Sequence, residues 1–125
     1  MEEQYTRKLT IVPGDITQQP DVDVIVNAAN AQLRGGAGVC GAIFRAAGRQ
    51  VLQESCDEYQ VLDDKGTRCP TGWSQLTPAH NLPNKAIIHA VGPIYDERNP
   101  SLMATLLSSA YRSALVLAEQ RGYKS

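Results

Sequence analysis

Two carboxamides, a thiol and a run of glycines stand close together in residues 27–41, NAANAQLRGGAGVCG. Asn27 and Asn30 each offer donors and an acceptor. Residues 35–41, GGAGVCG, let the chain approach a ligand closely, because glycine has no side chain to keep it away. They run into residues 42–48, AIFRAAG, which have good helix formers and apolar spacing. Backbone N–H groups point out of a helix start, so this junction suits something anionic. Cys40 lies within it, where a helix N-terminus favours the thiolate form of a thiol. Asp15, after the Pro13-Gly14 turn, is a further acceptor. Its plainest role is to cap that turn.

These groups need a strand and a helix to position them. Residues 22–26, VDVIV, read as a strand buried on both faces, with NAAN just past its carboxyl end. A helix is expected over about residues 39–59, kinked or divided at Gly48. Residues 9–12, LTIV, read as an earlier strand. Residues 63–70 form a polar surface loop, and residues 71–79 a short strand near a sheet edge. A further strand spans residues 84–91, stopped by Gly92 and Pro93. The clearest helix is over residues 101–121, with Ser101 as N-cap. Leu102, Leu106, Ala110, Leu115 and Leu117 form its stripe, and Gly122 follows its end. Residues 123–125 would begin another strand. Strands alternating with helices imply an α/β sandwich around a mainly parallel sheet.

Composition narrows the classes. A chain of 125 residues is one domain. A formal charge of −1 gives no strong nucleic-acid signal. No apolar run looks long enough to span a membrane, so no membrane partner is expected. The first ten residues, MEEQYTRKLT, lack the apolar core of a signal peptide. Cys40, Cys56 and Cys69 are odd in number and unpaired in spacing, which argues for free thiols in a cytoplasmic protein. No metal and no cofactor is implied.

Residues 36–41 formally match GxGxxG, but a dinucleotide-binding unit places its glycines directly after the strand, and NAANAQLRG intervenes. No GK[ST] follows a glycine loop, so a P-loop is excluded. A fuller match comes from linked motifs: PGDIT, VDVIVNAAN, GGAGV-x-GAI-x-RAAG, CPTG and IIHAVGP, in order from Leu9 to about Gly122. Together they resemble the macro domain family, which binds ADP-ribose. Within it the chain looks most like the branch that removes ADP-ribose from protein and deacetylates O-acetyl-ADP-ribose.

That resemblance implies an α/β fold, a three-layer α/β/α macro domain with a mixed, mainly parallel central sheet. Residues 1–125 would be the N-terminal two-thirds of the family pattern, incomplete at the C-terminal end. Asp15 resembles the acid that accepts from the adenine amino group, with the Ile16 backbone beside it. Asn30 resembles the amide that contacts the distal ribose. Gly35, Gly36, Ala37, Gly38 and Val39 resemble the loop around the distal ribose and diphosphate, although a tight strand-to-helix turn also needs glycines. Asn27 is read as bracing the loop, satisfied by backbone. His89 and Trp73 are read as structural.

Two departures bear on activity. Cys40 stands where the hydrolytic branch usually carries an aspartate, and Phe44 where it often carries a histidine. A carboxylate would activate water at the ribose anomeric carbon, which a neutral thiol does not do. Viral macro domains with GVC at this place resemble the chain and include active hydrolases, so Asn30 and Cys40 are the catalytic candidates. The alternative is a non-catalytic reader of ADP-ribose. The family pattern also continues with a strand and a second glycine loop. Without them the expectation is weak ADP-ribose binding and self-association through an incomplete sheet, whose edge would be exposed. The partners implied are ADP-ribose or ADP-ribosylated protein.

Overall fold

The computed structural model describes residues 9–125. The first eight residues, part of the N-terminal segment read above, lie outside it. Three strands and three helices follow in the order β1 (Val24–Ala28), α1 (Gly38–Ala47), α2 (Arg49–Asp57), β2 (Ser74–Pro78), β3 (Ala86–Ala90) and α3 (Pro100–Gln120). The sheet order is β1-β3-β2. β1 pairs parallel with β3, because the helices carry the chain back before β3 begins. β2 pairs antiparallel with β3. Among the described residues the sheet is mixed, with one parallel and one antiparallel pairing.

Helices cover both faces. Ile25 of β1 and Ile87 of β3 join Ile43, Phe44 and Leu52 of α1 and α2 in one buried cluster. Burying Phe44 alone is worth about 1.5–3 kcal/mol. Side chains alternate along a strand, so Ala86 and Ile88 face the other way. There α3 packs on β2 and β3, with Ala110 and Ala114 as its buried positions. β1 lies outside that cover, and Val26 is 46% exposed. The strand is therefore buried on one face, not on both as its apolar run suggests.

Several expected boundaries move for local reasons. Residues 9–12 form no strand, and Ile11 is 92% exposed. β1 starts two residues later than the apolar run, because a turn holds Val22 N–H on the Gln19 carbonyl. Asn27 therefore lies inside the strand, opposite His89. Gly48 divides the long helix into α1 and α2 with φ 101°, and a Cβ there would meet Val51 Cγ2 at 2.9 Å. Asn99, not Ser101, is the N-cap of α3, since Pro100 supplies a preset φ at the first helical position. Leu102 and Leu115 of the expected stripe are 45% and 48% exposed. Trp73 is 64% exposed, so its ring stays out of the core and only its backbone joins the sheet end.

α3 ends as expected: the Gly122 and Tyr123 N–H groups reach back to Glu119 and Ala118 carbonyls. Ser125 O then accepts from Val24 N–H at 3.0 Å, so the chain runs beside the start of β1. By length and composition alone α3 would cross a membrane, with 21 residues and a mean hydropathy of 1.3 over its best window. The sequence shows no unbroken apolar run because serine, threonine, tyrosine and arginine interrupt its leucines and alanines. Ala110, Ala114 and the Ser113–Ser74 hydroxyl pair at 2.8 Å dock it on the sheet as a layer of a globular fold.

Among the described residues, three polar ones are buried inside the sheet: Asn27, Thr77 and His89, at 0%, 1% and 0% exposure. His89 pairs with Thr77 and Asn27 through its two ring nitrogens. Desolvation pushes its pKa down from 6.5 to about 4. The folded value lies below the unfolded one, so the neutral ring's contribution is complete above pH 6.5 and is lost as pH falls towards 4. Chemical denaturation at stepped pH is expected to show a loss of about 3 kcal/mol across that window. His89→Gln should flatten most of it, and a flat profile in the unaltered chain would contradict the assignment.

Candidate functional site

A cavity of about 510 Å3 opens at the carboxyl ends of the parallel strands β1 and β3. Open α/β sheets hold ligands at such ends, and the volume is in the range of small-molecule sites. One wall is the chain leaving β1, residues 28–32, with Gly36, Ala37 and Cys40. The facing wall is Thr71 and residues 91–94, beyond β3.

The first wall is held by its own amides. Asn30 Nδ2 donates to the Arg34 carbonyl at 2.9 Å, and Asn30 Oδ1 accepts from Arg34 N–H at 2.9 Å. Within this clasp Leu33 is buried at 1% exposure with φ 57°, a left-handed conformation that costs a side-chain-bearing residue about 1–3 kcal/mol. Gln53 of α2 fastens the same loop, accepting from Gly35 N–H at 2.9 Å and donating to the Leu33 carbonyl at 3.0 Å. Arg68 and Cys69 N–H both donate to the Ala31 carbonyl, at 2.8 and 2.9 Å. The loop thus holds a strained residue while its side-chain and backbone ties fix its course.

Gly41 allows the loop to fold onto the helix. Any Cβ there would collide with the Gly36 carbonyl. α1 then begins at Gly38 with Ala37 as N-cap, no side-chain cap and no acid in its first turn. Its first N–H groups lack intrahelical acceptors, and with the helix dipole they favour an anion. Among the described residues, no Asp, Glu, His, Lys or Arg lines the cavity. Any charge held there would be met by backbone N–H groups rather than by a cation.

The residues singled out from sequence divide into two sets. Asn30, Gly36, Ala37 and Cys40 line the cavity; Asp15, Ile16, Gly35, Gly38 and Val39 do not. Asp15 Oδ1 accepts from Thr17 N–H at 2.9 Å and Thr17 Oγ1 at 2.7 Å, the turn-capping role. Those bonds hold its carboxyl below the ordinary range. Gly35 leaves room for the Phe44 ring, 2.8 Å from where its Cβ would be. Phe44 is 1% exposed and stays in the core. Asn27 does brace the site, but through side chains: its Nδ2 reaches Cys40 Sγ at 3.5 Å and His89 Nδ1 at 3.1 Å. Its Oδ1 is buried without a partner.

The facing wall was missed. Thr71 and Gly92 belong to the CPTG and IIHAVGP motifs, yet neither is a residue type that signals chemistry. Two hydrogen bonds tie this wall together: Gly72 N–H to the Val91 carbonyl at 2.7 Å, and Ser109 Oγ to the Gly72 carbonyl at 2.9 Å. Among the described residues no group of three or more His, Cys, Asp or Glu gathers for a metal.

All three cysteines are free thiols. Burial pushes Cys56 up to about 12 and Cys69 up to about 11, and both are 0% exposed. Only Cys40 reaches the cavity. Alkylation of the native chain, read by mass spectrometry, is expected to add one group, on Cys40, and three after denaturation. Early labelling of Cys56 or Cys69 would contradict the described burial.

Comparison with known proteins agrees with this geometry. The Macro domain family pattern matches residues 26–125. An O-acetyl-ADP-ribose deacetylase of Salmonella gallinarum is 47% identical over 120 residues, which is 96% of this chain and 64% of the relative. An uncharacterized protein of Fusobacterium nucleatum is 45% identical over 120 residues, covering 96% and 63%. The chain thus spans a little under two-thirds of the length of these relatives. The Oceanobacillus iheyensis macrodomain with ADP superposes with a TM-score of 0.77 at 43% identity, over 89% of this chain and 57% of that one. The Trypanosoma brucei macrodomain in complex with ADP gives 0.70 at 37% identity, over 89% and 41%. With its mixed sheet, its glycine loop and a cavity at the strand ends, the chain belongs to the Macro domain family.

Proposed function

We propose that this chain binds ADP-ribose in the strand-end cavity and hydrolyses ADP-ribosyl linkages on protein or deacetylates O-acetyl-ADP-ribose. The observation that carries the reading is the uncapped start of α1 in a cavity wall without charged side chains. A diphosphate there meets the N–H groups of the loop and helix start, with no carboxylate to repel it. Asn30, gripped at both ends of its amide, would present its remaining N–H and lone pair to the distal ribose. Asp15 and Ile16 would meet the adenine end, beyond the lining of the cavity. The Salmonella relative's name and the ADP found in the two macrodomains support the ligand class.

A second reading is a non-catalytic reader of ADP-ribose. Cys40 favours it, as the one ionisable side chain among the described residues that line the cavity. General-base activation of water needs a group that is unprotonated at working pH, and a carboxylate serves better than a thiol.

Calorimetric titration of the 125-residue chain with ADP-ribose tests the shared premise. Saturable binding is expected, weakened about tenfold or more in Asn30→Ala, equivalent to about 1.4 kcal/mol. Absence of heat from a chain folded by circular dichroism would overturn it. Release of ADP-ribose from a mono-ADP-ribosylated protein then separates hydrolase from reader. The hydrolase reading predicts turnover that Cys40→Ala lowers and Cys40→Asp keeps or raises.

A further inference from the structure

A polar chain runs behind the cavity across all three strands and into α1. Thr77 Oγ1 on β2 lies 2.9 Å from His89 Nε2 on β3. His89 Nδ1 lies 3.1 Å from Asn27 Nδ2 on β1, which is 3.5 Å from Cys40 Sγ on α1. Cys40 Sγ is 4.0 Å from the Arg34 carbonyl, the same oxygen that accepts from Asn30 at 2.9 Å. Thr77, His89 and Asn27 are buried and do not line the cavity; Cys40 and Asn30 do.

The proton on His89 sets the direction of this chain. The ring is neutral, so one nitrogen donates and the other accepts. With the proton on Nε2, the ring donates to Thr77, and Nδ1 accepts one N–H of Asn27. The second N–H of that amide then supports Cys40 Sγ, and the S–H is left for the Arg34 carbonyl. Two groups stay unpaired, the Asn27 oxygen and the Thr77 O–H, whose one partner is the ring. With the proton on Nδ1, the amide must turn its oxygen to His89. That oxygen and the Arg34 carbonyl then compete for a single S–H. Both amide N–H groups move to the place where the oxygen had no partner. The second arrangement orphans two buried donors and the first orphans one donor and one oxygen; orphaned donors are the rarer of the two, so the first arrangement wins.

We propose that His89 and Thr77 are positioning residues for this cavity. Held as the Nε2–H tautomer, His89 fixes the Asn27 amide so that Cys40 accepts from β1 and donates to Arg34. The group at position 40 is thereby held at one orientation beside Asn30. The functional meaning of this rests on the ADP-ribose reading; the proton arrangement does not.

The test is nitrogen NMR of the His89 ring in the full chain, with His80→Gln to assign it, alongside the rate of Cys40 alkylation. The unaltered chain is expected to show Nε2–H with an unprotonated Nδ1. Thr77→Val removes the partner of Nε2 and should shift the ring towards Nδ1–H. The Cys40 S–H would then be held by the Asn27 oxygen, and alkylation should slow about threefold or more, because the thiolate is the reacting form. Thr77→Ser keeps a hydroxyl and should restore both readouts, which separates positioning from general loosening of the sheet. An Nδ1–H ring in the unaltered chain would overturn the proposal, as would a Thr77→Val chain with unchanged tautomer and rate. Loss of ADP-ribose binding with the tautomer as expected would overturn the ligand reading alone.

Discussion

The rest of the structure depends on one buried polar contact, the side chains of Asn27 and His89 facing each other across two parallel strands. Neither has access to water, so each must find its partner inside the protein. A slip of one residue would turn every side chain of β1 to the opposite face. Asn27 would leave His89, and Val26 would enter the core in place of Ile25. The contact therefore sets register as well as satisfying two polar groups. Register in turn fixes where β1 ends, where residues 28–32 turn away, and so where the cavity opens.

The cavity follows from that placement and from three local devices. Asn30 clasps the Arg34 backbone, Gln53 anchors the loop to α2, and Gly41 lets the loop lie against the helix start. Each holds backbone rather than presenting a charge. The site is thus made of backbone, amides, one hydroxyl, one thiol and apolar side chains in a volume of about 510 Å3. Such a site selects a ligand by shape and by an anion placed at a helix start, not by ion pairing. A chain of net charge −1 with no cation in the lining can still hold a diphosphate on these terms.

Much of this was legible in the sequence, because glycine and strand-end amides signal backbone geometry. Asn30, Gly36, Ala37 and Cys40, singled out from the glycine loop, the strand-end amides and the family resemblance, line the cavity. The division at Gly48 and the end of α3 at Gly122 were visible for the same reason. The misses have physical causes. VDVIV looked buried on both faces because hydrophobicity reports what a strand could bury, not what covers it. The start of β1 shifted because the turn at Gln19 and Val22 outweighed strand propensity. Thr71 and Gly92 enter the cavity through tertiary folding alone, so no local pattern marks them. His89 was recognised as structural, but its partners Asn27 and Thr77 are 62 and 12 residues away in sequence.

The central claim is that the strand-end cavity is where ADP-ribose binds. Two-dimensional amide NMR of the full chain, titrated with ADP-ribose, tests it most directly. The account predicts saturable shifts concentrated on Asn30, Gly36, Ala37, Cys40 and Gly92, on both walls at once. Shifts confined to residues 95–98, between the cavity and α3, or to the outer face of α3, with those five amides unmoved, would contradict it.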